Sequence, residues 1–99
     1  MGRLSDMALT LKYPDELPTS DCVRTVIIKE FDPANVGASP TTWVVGEYDH
    51  SESAFVRQIV HAMLNHLFRD PEVNGTRPLV ELDVQVIKST LERVLATMR

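Results

Sequence analysis

Cys22-Val23-Arg24-Thr25-Val26-Ile27-Ile28-Lys29-Glu30-Phe31 is the stretch on which the fold turns. β-Branched and aromatic side chains fill it. Its middle, Val26, Ile27 and Ile28, is apolar on both alternating sides, and its polar residues collect toward the ends. A strand of this kind sits centrally in a sheet and is covered on both faces.

Working toward the C-terminus, Asp32-Pro33-Ala34-Asn35-Val36-Gly37-Ala38-Ser39-Pro40 holds two prolines and a glycine, which forbid regular structure. Thr41 to Tyr48 then returns as a second strand with Trp43, Val44 and Val45 in its middle. The two strands pair as an antiparallel hairpin with an unusually long tip. Toward the N-terminus, Met7 to Tyr13 alternates Leu9, Leu11 and Tyr13 with Ala8, Thr10 and Lys12. This reads as a short, half-buried edge strand that Pro14 stops, and Pro14 to Asp21, with two prolines, reads as a connection.

Helical periodicity begins after the second strand. Asp49 and Glu52 have the spacing of a capping box, and Pro71 sets the far boundary of the helix they open. At about 100° per residue, its apolar side chains from Phe55 to Leu67 spread over an arc of roughly 180° to 200°. That is wide for a helix lying on one sheet and calls for two partners, such as the sheet and another helix. Asp70 to Pro78 contains Asn74-Gly75 and reads as a turn. Leu79 to Val86 is ambiguous: Val80, Leu82, Val84 and Val86 alternate as in a strand, while Val84, Ile87, Leu91, Val94 and Met98 step by three and four like a helix seam. We read a short extended piece through Leu82, Asp83 as N-cap, and a helix to about Met98.

The expected fold is therefore α+β, a small antiparallel sheet of two or three strands covered by two C-terminal helices in the order β-β-β-α-α. Residues 1–6 are expected to be a flexible tail and 7–99 a single domain, since 99 residues leave room for one core.

Ten Lys and Arg against fourteen Asp and Glu give a net charge of -4, the wrong sign for neutralising a phosphate backbone, and the basic residues form no run. Nucleic acid is disfavoured as a partner. No stretch approaches the roughly 18 consecutive apolar residues of a membrane span, so no membrane association is expected. The single Cys22 cannot form an intrachain disulfide, which makes a reducing cytoplasm the simplest compartment. Cys22 itself reads as a buried residue at the start of a strand.

Candidate chemistry is sparse. His61 and His66 are five apart, about 140° around a helix, so they do not chelate one ion together. His61 falls on the polar arc and reads as a surface residue. His66 falls on the apolar arc and reads as a partly buried, hydrogen-bonded histidine. No catalytic residue, metal site or cofactor is assigned. The residues chosen for binding are Asp32 and Asn35 in the long loop, which is costly in entropy unless it contacts something, together with Asp49, His50 and His66. The apolar supply of the two helices exceeds what one small sheet covers, and it points to a homodimer or a protein partner. The leading reading is a cytoplasmic, non-enzymatic binding or regulatory accessory protein acting through its apolar helix faces. The alternative is a small oligomeric enzyme or small-molecule-binding protein with a pocket between subunits.

Overall fold

The computed structural model describes residues 9–68 and 77–98. Three strands, β1 (Leu11–Pro18), β2 (Val23–Phe31) and β3 (Thr41–Asp49), precede helix α1 (His50–Met63), which continues into a π-helical turn over Leu64–Phe68, and helix α2 (Glu81–Met98). The expected order β-β-β-α-α is present. The sheet runs β1-β2-β3 with both pairings antiparallel, so β2 is central and the long-tipped hairpin is the β2–β3 pair. The tail expected over residues 1–6, the start of the first strand at Met7 and Ala8, and the Asn74-Gly75 turn lie outside the described residues.

β1 departs from expectation by running through Pro14 to Pro18 instead of stopping at Tyr13. The reason lies in its position. β1 is an edge, and prolines four apart stand in the same phase of the backbone, so a strand survives both where their missing donors face away from β2. Pro14 pairs with Ile28 and Pro18 with Arg24 without breaking the register.

Alternation places Val26, Ile28 and Glu30 of β2 on one face with Lys12, Pro14 and Glu16 of β1. In β3 the register shifts: Val26 faces Gly46 but Ile27 faces Val44, leaving Val45 as the extra residue of a bulge. Without it, alternation would send Trp43 and Tyr48 to opposite faces; with it, both pack against the core that contains Val45. Val26, Ile28, Val56, Val60, Ile87 and Leu91, each fully buried, form the centre of that core.

The helices cover this face alone. α1 touches all three strands and also α2, and α2 lies on β3. The two partners that the wide arc of α1 called for are thus supplied within one chain. The expectation that β2 is covered on both faces is corrected. Ile27 is only 1% exposed, yet it lies on the other face, where Asp15 and Val44 are its cross-strand neighbours and it is not part of the core that the described helices pack against. Around it Leu11, Tyr13, Leu17 and Val44 remain between 39% and 56% exposed.

Three local details of the helices also differ. Asp49 is the N-cap of α1, but its side chain makes no capping bond. The residue still ends β3, paired with Val23, and the first helical amide, of His50, donates to the Cys22 carbonyl at 2.7 Å. The π turn at the end of α1 adds a residue to its last turn and so shifts the phase. Leu64 is buried and Phe68 packs against the core, while Leu67, expected inside, is 58% exposed and His66 is exposed as well. α2 begins at Glu81, so the ambiguous Leu79–Val86 stretch is helical from Glu81 onward and Asp83 is not the cap. Asp83 sits in the first turn and its carboxylate accepts from the backbone amide of Val80 at 2.8 Å, the reach-back half of a capping box.

Candidate functional site

The five residues chosen from sequence do not form one site. Asp32 and Asn35 stand at the tip of the β2–β3 hairpin and build two consecutive turns. The Ala34 amide donates to Asp32 Oδ1 at 2.9 Å, the Asn35 amide to the Asp32 carbonyl at 3.0 Å, and the Ala38 amide to the Asn35 carbonyl at 3.1 Å. Asp32 is thereby engaged in local structure. Asp49 and His50 lie at the opposite end of β3, about 26 Å away along the strand. His66 is exposed in the π turn, not half-buried as expected, because the phase shift rotates it outward. His61 is exposed as expected, with Nε2 3.0 Å from Asn65 Nδ2. Cys22 is exposed, not buried, because it falls one residue before β2.

Sequence reading missed the most highly connected polar group. Glu30 is 6% exposed on the helix-covered face. Its Oε2 accepts from Thr10 Oγ1 at 2.9 Å and from the Leu79 amide at 2.8 Å, and its Oε1 accepts from Trp43 Nε1 at 3.0 Å. Lys12 Nζ lies 3.5 Å from Oε2 and donates to the Arg77 carbonyl at 2.7 Å. Burial pushes the Lys12 amine below its ordinary range, opposed by the Glu30 charge. Arg77 in turn holds Asp83 through two 2.8 Å bonds and lies over the Phe68 ring. This cluster ties β1, β2 and β3 to the segment that enters α2. With its acceptor positions occupied by protein donors, Glu30 acts as a structural clip. The signal in the sequence was its phase, since Glu30 alternates with Val26 and Ile28 and so had to enter the core.

The open concavities are surface grooves. One of about 390 Å³ follows the β1 side, with Tyr13 and Pro14 on one wall and Arg57, Gln58 and His61 of α1 on the other. Beside it Arg57 Nε and Glu16 Oε2 pair at 3.1 Å. Two more share the same pair of walls, β3 and α2. The first, about 240 Å³, lies between Trp43 and Val44 and the stripe Glu81, Val84, Gln85 and Lys88. The second, about 340 Å³, lies between Glu47, Tyr48 and Asp49 and the α2 residues Glu92 and Leu95, with Glu52 at its end. Both lie in the trough between β3 and α2 at the outer edge of the sheet.

The second groove is lined by four acidic residues beside Tyr48, two of which, Glu52 and Glu92, act on its phenol. Burial raises the Tyr48 hydroxyl above its ordinary pKa, and the neighbouring Glu92 and Glu52 charges add to the rise. Gly46 leaves room for this ring, because a Cβ there would stand 3.1 Å from the Tyr48 oxygen. Of the sequence-based choice, Asp49 lines the second of these grooves. Among the described residues no three His, Cys, Asp or Glu side chains converge to hold a metal ion, and no helix is long and apolar enough to cross a membrane. Comparison with protein families, with curated proteins and with solved structures finds no match to this chain.

Proposed function

We propose that this protein is a small, non-enzymatic binding or regulatory accessory protein of the cytoplasm that acts as a homodimer. We place the contact between copies on the helix-free face of the sheet, not on the helix faces. The observation that carries this reading is the mismatch between the two faces. Val56, Val60, Ile87, Leu91 and Leu95 of the helices are consumed inside the chain, although Phe55, Leu82, Val86 and Met98 on them remain exposed, and on the open sheet face Leu11, Tyr13, Leu17 and Val44 stay exposed around the buried Ile27. Tyr13 and Phe31 stack there with ring centroids 5.6 Å apart, which adds a flat aromatic surface.

A second copy suits this face because it is self-complementary in charge. Lys29 and Asp15 lie on it 3.3 Å apart, and a two-fold axis brings each to its opposite in the partner. The size of the face sets the strength. Strands of this length, about 4.8 Å apart, span roughly 26 by 14 Å, on the order of 400 Å². That is half of the roughly 800 Å² per partner in a standard stable interface, so the dimer is weak and concentration-dependent. The exposed thiol of Cys22 suits a reducing compartment.

Sedimentation equilibrium across micromolar to millimolar concentrations tests the proposal. A monomer–dimer equilibrium that Leu17→Glu with Val44→Glu abolishes, and Leu82→Lys on the outer side of α2 leaves intact, is the expected result. A monomer at every concentration, or a dimer indifferent to the sheet-face substitutions, would falsify it.

A further inference from the structure

The segment that enters α2 is fastened to the sheet by charged side chains. Lys12 of β1 donates from Nζ to the Arg77 carbonyl, and Glu30 of β2 accepts from the Leu79 amide. Asp83 of α2 grips the segment from its other end, accepting two bonds from the Arg77 guanidinium and a third from the Val80 amide. Because Lys12 Nζ and Glu30 Oε2 stand 3.5 Å apart, these contacts close into a ring of two cations and two carboxylates around residues 77–80. Among the described residues no backbone–backbone hydrogen bond joins this segment to a strand.

We propose that residues 77–80 form a latch that opens and closes as one unit while the sheet and the body of α2 stay folded. A ring of charge-assisted bonds acts cooperatively, since the loss of any member leaves its neighbours with an unbalanced charge. The open state keeps its polar groups partnered. When the Leu79 amide leaves, Glu30 retains Thr10 Oγ1, Trp43 Nε1 and the Lys12 charge, all from the sheet side. The apolar loss is small as well: Leu79 is buried, but Arg77, Pro78 and Val80 are exposed, so opening takes one apolar side chain out of the core. α2 meanwhile stays seated through Ile87, Leu91 and Leu95, which are buried further along the helix. Segments held in this way open at a free energy below that of global unfolding. The latch lies on the helix-covered face and works independently of the homodimer, which uses the opposite one.

Native-state amide exchange of the whole chain, at constant pH and in rising low concentrations of urea, tests the latch. The Leu79 and Val80 amides are expected to exchange through one common opening that barely responds to urea, while the Val26 and Ile28 amides of the central strand follow the steep urea dependence of global unfolding. Asp83→Asn, which keeps an acceptor oxygen but removes the charge, is expected to speed both latch amides roughly tenfold, including that of Leu79, which Asp83 does not touch. Arg77→Gln, at an exposed position, is expected to act in the same direction on both. Leu79 and Val80 amides that share the urea dependence of Val26 and Ile28 overturn a separate opening. A shallow urea dependence in which Asp83→Asn speeds Val80 and leaves Leu79 unchanged overturns the single unit.

Discussion

The two faces of the sheet share one backbone and are built on opposite terms. On the helix-covered face of β2, Val26 and Ile28 are committed to apolar packing and Glu30 to donors from three different segments. On the open face apolar side chains of similar size stand half in water beside the ion pair Lys29–Asp15. The contrast teaches that the hydrophobicity of a strand does not say which side is core. Burial on the covered face comes from a second layer, whereas Ile27 is buried on the face that no described helix covers.

The largest break in the comparison should come from Glu30→Ala, which takes the acceptor from Trp43 Nε1 and the Leu79 amide and the counter-charge from the buried Lys12 amine. A loss of about 3 to 5 kcal/mol is expected, measured by urea unfolding. Glu30→Gln, which keeps the acceptor oxygen but removes the charge facing Lys12, should cost less. Next comes Leu91→Ala, which empties a fully buried site between α2 and the sheet and should cost about 2 to 5 kcal/mol. Equal tolerance of Leu91→Ala and Leu17→Ala would contradict the division into a core face and a surface face.

pH sharpens the comparison with one carboxylate at each surface. Asp83 is held below its ordinary pKa first by its bonds to Arg77 and then by the Val80 amide. Its folded pKa lies under the unfolded 3.8, so its contribution is present above that value and is lost as pH falls through the lowered one. Asp83→Asn should therefore flatten the acid limb of stability below about pH 4, seen as a smaller drop in Tm between pH 5 and pH 2. Asp15, on the open face, is lowered first by the Glu16 amide and then by Lys29, so the sign is the same. Its ion pair is well exposed, and high salt should erase the Lys29 part of the effect. The smallest expected effect is Leu17→Glu with Val44→Glu on monomer stability, within about 0.5 kcal/mol in dilute solution, even though the same pair abolishes self-association.

Much of this architecture was legible in residue order. β2 announced itself by β-branched density, the β2–β3 hairpin by the proline-rich tip, and α2 by the steps Val84, Ile87 and Leu91. The binding residues were not legible. Asp32 and Asn35 look like loop ligands until their turn bonds are seen, and His66 looks internal until the π turn rotates it outward. The trough could not be read at all, since its walls come from segments separated by the whole of α1.

What residue order carried was periodicity and punctuation, because strand and helix alternation are local properties of the backbone and act over a few residues. It therefore held the element order, the antiparallel hairpin and the seam of α2. Only the packed chain decided which face of β2 received the helices, that Pro14 and Pro18 lie within an edge strand, that a bulge at Val45 keeps Trp43 and Tyr48 on one side, and that Asp83 reaches back to Val80. Each of these is a choice between arrangements that are nearly equal locally, and contacts between residues distant in the chain supply the free energy that separates them.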